Sequence, residues 1–268
     1  MLYVTRCKSK GFTLIELLVV IAIIGVLSGI VYVSVKSGIK SARMAKRISF
    51  SAQVHQALGA YEQAGYTFDD GTAWDETGIG NDGQLINYAS ITNGVNNSKG
   101  LIDNGGGTAV INVATAHTKF SSAARTIEAW VKPAGGGVDT NINIYTDQNA
   151  KLFYSFSTSS PFFFGDSKVI FSVSAFGVHC GAQINDNFKF DADEWNHILA
   201  TFDGNTQTKI YVNSDLISNS YMNCNSSITI FTNPPVADMQ IGYDMNGFSH
   251  GSALDQVRIY DSFLDLAH

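Results

Sequence analysis

Proline is scarce, and none lies between Phe12 and Ala64. That stretch is therefore free of the residue that breaks helices. Charge is missing over a long run as well: after Glu16 no Asp, Glu, Lys or Arg appears until Lys36. Cysteine is rare, at three residues, and the spacing of Cys7, Cys180 and Cys224 matches no metal-binding cluster. No nucleophile elbow, phosphate loop or metalloprotease helix is present. Bases are few beyond Tyr66: residues 66–268 hold nine Lys/Arg against twenty-one Asp/Glu, a balance of −12. Such a segment repels polyphosphate, which argues against nucleic acid as its main ligand.

What is present at the start is a long apolar run. Residues 17–35 are nineteen uncharged positions, enough to cross a bilayer core at about 1.5 Å per helical residue. Hydrophobic content over the whole chain is 45%, ordinary for a globular protein, so only this run calls for a membrane. Residues 1–65 carry eight Lys/Arg and two Glu, so the charge of the chain divides sharply. Bases flank the run on both sides, and the positive-inside rule does not orient it. A lone carboxylate at the head of such a run is the informative feature. At a helix centre an ionisable group costs on the order of 2.5–3.5 kcal/mol, and it is normally kept for a purpose.

The stretch Gly11-Phe12-Thr13-Leu14-Ile15-Glu16-Leu17-Leu18-Val19-Val20-Ile21-Ala22-Ile23-Ile24-Gly25-Val26-Leu27 resembles the amino terminus of type IV pilin precursors. The resemblance implies a leader, residues 1–11, removed after Gly11 by a membrane prepilin peptidase. It implies methylation of the new Phe12 amine, and pairing of Glu16 with the terminal amine of a neighbouring subunit. The cut precedes the apolar run, so the hydrophobic helix stays in the mature protein, unlike a secretory signal. Cys7 would leave with the leader. Cys180 and Cys224 remain, a pair read either as a disulfide in an exported domain or as two free thiols.

Residues 12–64 read as one helix, its membrane part being 12–35. Ile39, Ala42, Ala45, Ile48, Ala52 and Leu58 recur at helical spacing. Lys36, Lys40, Arg43 and Arg47 share a face, either solvated or a basic seam toward adjacent subunits. Ser28-Gly29 is a weak helical dipeptide, a candidate place for the helix to bend or melt during extraction.

From Tyr66 onward glycine, asparagine and aspartate separate short alternating runs. The expected strands are 109–113, 126–132, 152–156, 169–176, 196–202, 209–213, 239–243 and 256–260. They imply an all-β antiparallel sandwich or jelly roll over 66–268. Its segments Tyr66-Thr67-Phe68-Asp69-Asp70-Gly71, Gly78-Ile79-Gly80-Asn81-Asp82-Gly83, Thr126-Ile127-Glu128-Ala129-Trp130-Val131-Lys132-Pro133, Glu194-Trp195-Asn196-His197-Ile198-Leu199-Ala200-Thr201-Phe202, Lys209-Ile210-Tyr211-Val212-Asn213 and Leu254-Asp255-Gln256-Val257-Arg258-Ile259-Tyr260 resemble the laminin-G-like jelly rolls of the concanavalin A-like superfamily. Asn213-Ser214 departs from the Asp-Gly hairpin frequent there.

Alternation places Ile127, Ala129 and Val131 against a second sheet, and Glu128, Trp130 and Lys132 on the opposite face. That face is read either as an open sugar platform or as a covered packing surface with Glu128 and Lys132 paired. Trp195 and His197 are read as packing residues. No cofactor is required, but the resemblance allows one calcium ion on Asp69, Asp70 and Asp255, against which Asp69 and Asp70 also suit a plain turn. Catalysis is not expected. Asp191-Ala192-Asp193-Glu194 reads as a solvated turn, and no strand offers the two facing carboxylates that retaining glycosidases need.

The whole reads as a filament subunit displaying a binding sandwich for adhesion to a glycan or surface protein. The alternatives are a type II secretion pseudopilin contacting cargo, and a membrane-anchored glycosidase-like protein. The implied partners are identical or related pilin subunits, the prepilin peptidase and the inner or cytoplasmic membrane. The implied location is a single-pass membrane precursor, then an extracellular pilus or an envelope pseudopilus.

Overall fold

The computed structural model describes residues 11–86, 89–103, 110–113, 124–132, 140–146, 152–158, 169–175, 178–183, 194–204, 207–221, 239–241 and 253–265. The chain divides into two compact units, Met1–Lys46 and Arg47–His268.

Helix α1 spans Leu14–Leu58. Thr13 and Glu16 start it as a reciprocal capping box: the Thr13 N–H and hydroxyl donate to Glu16 Oε2 at 2.8 and 2.7 Å, and the Glu16 N–H donates to Thr13 Oγ1 at 3.3 Å. The helix runs through Ser28-Gly29 without interruption. It ends earlier than expected. Gly59, the poorest helix former apart from proline, opens a 3₁₀ turn over Gly59–Tyr61, and Glu62–Tyr66 then forms strand β1. Ala64 is thus a strand residue, drawn out of the helix by pairing with Ile259.

The other strands are β2 (Gln84–Ile86), β3 (Ala89–Asn93), β4 (Lys99–Asp103), β5 (Val110–Val113), β6 (Arg125–Lys132), β7 (Thr140–Thr146), β8 (Leu152–Thr158), β9 (Val169–Ala175), β10 (Val178–Gln183), β11 (Asn196–Phe202), β12 (Gln207–Val212), β13 (Asp215–Tyr221), β14 (Met239–Ile241) and β15 (Ala253–Tyr260). All eight expected strands occur, with shifted ends; Ala109, Phe176, Gly242 and Tyr243 aside, their residues fall among those described. An antiparallel sheet of eight strands runs β13-β12-β11-β6-β15-β4-β3, with β1 also on β15. Sheets of four (β10-β9-β8-β7) and three strands (β14-β5-β2) complete the described sandwich.

The large sheet is covered on both faces. One face carries Ile127, Ala129, Val131, Ile198, Ala200, Phe202, Ile210 and Val212 into a core shared with Ile111 and Val113 of β5 and Ile241 of β14. The other face carries Leu199, Tyr211 and Tyr260 against Val54 and Leu58 of the helix and Leu264. Each fully buried Val or Leu here stabilises by about 1.5–3 kcal/mol. The last turns of α1 therefore belong to the sandwich, which begins before residue 66. The buried stripe is Arg47, Ser51, Val54 and Leu58, not the apolar series Ile39 to Ala52. Arg47 leaves the solvated basic face and donates from Nη1 to the Trp195 carbonyl at 2.7 Å.

The hairpin between β12 and β13 is a two-residue loop, with Val212 paired to Asp215. Asn213 and Ser214 both adopt positive φ, 54° and 74°. That is the tight hairpin turn that favours Asn-Gly. Left-handed backbone disfavours any residue with a Cβ, by roughly 1–2 kcal/mol, so Ser214→Gly is expected to stabilise the domain by about 0.5–1 kcal/mol after the unfolded-state entropy of glycine is offset. Urea denaturation checks this; a lower midpoint would show that the serine hydroxyl matters more than the backbone.

Candidate functional site

The head of α1 is the first site the sequence points to. Phe12, Leu14, Ile15, Leu17 and Leu18 are exposed, as are the large apolar side chains onward to Val35. The helix is long and apolar enough to cross a membrane by length and composition. Among the described residues nothing lies within 4 Å of where a Cβ on Gly11 would sit. Glu16 lies in the first turn, its carboxylate held toward Thr13. The sequence offers Glu16 as a partner for another subunit or as the snorkelling acid of a plain membrane anchor; the structure adds a local role at the helix start. The local pattern Thr-x-x-Glu already signals the cap.

The second candidate face, Glu128, Trp130 and Lys132, is not open. Glu128 is 0% and Trp130 1% exposed, and only Lys132, at the end of β6, is half-buried. Helix residues 50–54 cover the strand, so an exposed sugar platform here is corrected to a packed interior. The partner of Glu128 is not Lys132. Its Oε1 accepts from Ser51 Oγ at 2.5 Å and meets His197 Nε2 at 2.7 Å. Its Oε2 accepts from the Tyr260 hydroxyl at 2.9 Å and has Arg258 Nη1 at 3.7 Å. Burial pushes the Glu128 carboxyl up, but the His197 hydrogen bond and charge, Arg258 and Ser51 outweigh it, and the net shift is downward. The ring of His197 meets Trp130 at 5.0 Å and Phe50 at 5.5 Å, both edge-on. His197 Nδ1 and Trp130 Nε1 have no hydrogen-bond partner among the described residues. Trp195 is buried too, its carbonyl taken by Arg47.

Ser51, Glu128 and His197 bring together the residue types of a hydrolase triad, but in the wrong order. The carboxylate stands between hydroxyl and imidazole, so the imidazole does not touch the hydroxyl, and the group is sealed from solvent. Asp191, Ala192 and Asp193 lie outside the described residues.

A second, half-buried carboxylate borders this network. Glu62 lies 3.3 Å from His55 Nδ1 and 3.7 Å from Arg258 Nε. Burial pushes its carboxyl up to about 7, with Arg258 pulling the other way and Glu128, Asp75 and Glu76 adding to the rise.

Asp69, Asp70 and Asp255 do not form a calcium cage. Asp255 Oδ2 accepts from the Val95 N–H at 2.8 Å and Ser98 Oγ at 2.7 Å, and Oδ1 accepts from the Gln256 N–H at 2.7 Å. Gly94 closes over that carboxylate so tightly that a Cβ would sit 2.4 Å from Oδ2. Asp69 accepts from the Lys99 N–H at 2.9 Å, and Asp70 turns to the N–H and hydroxyl of Thr72. Among the described residues no three His, Cys, Asp or Glu side chains are grouped to hold a metal. Hard cations need several oxygens converging on one point, and these three carboxylates are not grouped that way. Burial pushes Asp255 up to about 6, against the hydrogen bonds from Ser98, Val95 and Gln256, with Asp69 adding to the rise. The expected Cys180–Cys224 bridge involves a residue, Cys224, outside those described.

An all-antiparallel sandwich with one broad sheet packed on smaller ones is a jelly roll of the lectin type. The sequence signature of the concanavalin A-like lectin/glucanases superfamily matches residues 104–268, and the chain belongs to that superfamily. The prokaryotic N-terminal methylation motif matches residues 6–32. No curated protein sequence matches the chain. Among solved structures it is similar to domain 4 of AbnA, a GH43 extracellular arabinanase from Geobacillus stearothermophilus, in complex with arabinotriose. There the TM-score is 0.56 at 19% identity, covering 76% of this chain and 94% of that one. It is similar to the binding domain of Paraclostridial Mosquitocidal Protein 1, with TM-score 0.56, 16% identity and 77% and 50% coverage. It is similar also to the botulinum neurotoxin serotype D ligand binding domain in complex with N-acetylneuraminic acid, with TM-score 0.56, 10% identity and 78% and 50% coverage. The chain spans about half the length of these toxin domains. At such identities the likeness is one of fold.

Proposed function

We propose that the chain is a type IV pilin-like filament subunit that displays a glycan-binding sandwich. The observation that carries this reading is the helix head. Within a matched methylation motif, an unbroken helix presents an uncovered apolar surface over 14–35 with a single carboxylate at its start. Exposed apolar area of that extent is unfavourable in water. Lipid covers it before assembly, and other copies of the helix cover it in the filament. The leader is removed after Gly11, the Phe12 amine is methylated, and Glu16 pairs with the amine of the next subunit. The precursor is anchored in the membrane, and the assembled filament lies outside the cell.

The binding role rests on the fold. Jelly-roll neighbours were solved with arabinotriose and N-acetylneuraminic acid bound. A structural and binding role, not catalysis, fits the sealed Ser51–Glu128–His197 group. Mass spectrometry of the protein from sheared extracellular filaments tests the proposal. The expected terminus is N-methylated Phe12. A chain still beginning at Met1 would overturn it. Correct processing without appearance in the sheared fraction would place the protein in an envelope pseudopilus instead.

A further inference from the structure

Between β1 and β2 lies loop 67–83, fastened by its own polar residues. Asp75 is nearly fully buried. Its Oδ1 accepts from the N–H groups of Gly65 and Thr77, each at 3.1 Å, and its Oδ2 from the Asn81 N–H at 3.0 Å. Asp82 accepts from the Asp75 N–H at 3.0 Å, and Gly83 donates to the Ala73 carbonyl at 2.8 Å. The Tyr66 hydroxyl donates to the Asn81 carbonyl at 2.7 Å, and Phe68 plugs the loop into the core. A loop so satisfied has little freedom left to lose on binding.

On this framework Trp74 stands 64% exposed. Among the described residues of unit Arg47–His268, the exposed large apolar side chains are Tyr61, Trp74 and Ile79, and two of these lie on this one loop. The indole adds nothing to the core, and the fold does not require it outside. The same loop exposes Asp69, Asp70, Glu76 and Asp82 and carries no Lys or Arg. Lys99 is the cation at its edge, its Nζ 3.8 Å from where a Cβ on Gly71 would sit.

We propose that loop 67–83 is the glycan contact of the sandwich, with Trp74 as stacking platform and its exposed carboxylates as acceptors, and that its ligand is a neutral polysaccharide. This rests on the glycan-binding reading above and gives it a place and a ligand class. A flat ring takes the C–H face of a sugar, and neighbouring carboxylates accept strong hydrogen bonds from its hydroxyls. Four exposed carboxylates repel sialic or uronic acids. Two apolar side chains on a short loop are far less than the roughly 800 Å² per partner of a stable protein interface.

The test uses the full chain in detergent, titrated with arabinan, xylan and galactan as neutral probes and with polygalacturonate and polysialic acid as anionic ones. The expected result is binding to at least one neutral probe and to neither anionic one. Trp74→Ala is expected to weaken it at least tenfold and Trp74→Phe less, both with unchanged melting temperature. Equal binding by wild type and Trp74→Ala overturns the site and leaves the glycan reading standing. No binding to any probe overturns both. Preference for an anionic probe overturns the ligand class. Loss of filaments in Trp74→Ala with binding intact would make the indole a subunit contact and overturn the site.

Discussion

Glu128→Ala is expected to lower the melting temperature of the sandwich by roughly 10 °C. Removing one member of a buried charged group costs about 3–5 kcal/mol because its partners stay buried and unpaired, and in a unit of this size each kcal/mol moves the midpoint by about 2–4 °C. The stranded groups would be Ser51, His197 and Tyr260, which join helix, β11 and β15 through one carboxylate, while Arg258 would keep Glu62 alone. A second variant separates lost charge from lost packing. Glu128→Leu combined with His197→Phe removes both members of the central pair, and part of the loss is expected to return. Thermal unfolding of the full chain, followed by tryptophan fluorescence, reads both; a Glu128→Ala protein melting with the wild type would mean that the network does not fasten the helix end.

The same group gives the domain a defined pH response. The folded state holds Glu128 below the ordinary carboxylate value, so its stabilisation is present above that value and is lost as pH falls through the folded one. Glu62 acts in the opposite sense. Its folded value of about 7 means that the folded state binds a proton the unfolded chain releases near 4.5, so its contribution declines as pH rises through that interval. Asp255, pushed up to about 6, adds to the second trend.

Alternation made β6 and β11 legible, because Ile127, Ala129 and Val131 and then Ile198, Ala200 and Phe202 do face one core. It also marked Glu128 and Trp130 as a separate face. What covers that face was not legible. The covering stripe begins with Arg47 and Ser51, polar residues that a search for apolar periodicity passes over. Their partners Trp195 and Glu128 lie 148 and 77 positions away. Likewise Glu62–Tyr66 is a strand only because β15, at the far end of the chain, pairs with it. The cap joins Thr13 and Glu16, three positions apart, and is readable in the sequence. Trp74 was invisible as a candidate because exposure is decided by tertiary structure, and no pattern in sequence marks an indole that stays outside.

Filament assembly is where Glu16 is expected to matter most, and the capping box makes that testable in a way the motif alone does not. Under the proposed function two duties would fall on one carboxylate: it completes the helix start through Thr13, and it would offer a negative charge to the amine of the next subunit. Glutamine serves the first duty, since a capping box accepts Glu or Gln, but not the second. Alanine serves neither. An unpaired carboxylate near the head of an apolar helix costs up to about 2.5 kcal/mol, and at about 1.4 kcal/mol per tenfold its relief biases a subunit toward the filament by roughly tenfold to hundredfold. Glu16→Gln and Glu16→Ala are therefore both expected to reduce sheared filament by at least tenfold, while membrane insertion and removal of residues 1–11 continue. The Gln variant decides the matter. If it assembles like the wild type while Ala does not, the residue acts by starting the helix, and charge pairing plays no part in stacking the subunits.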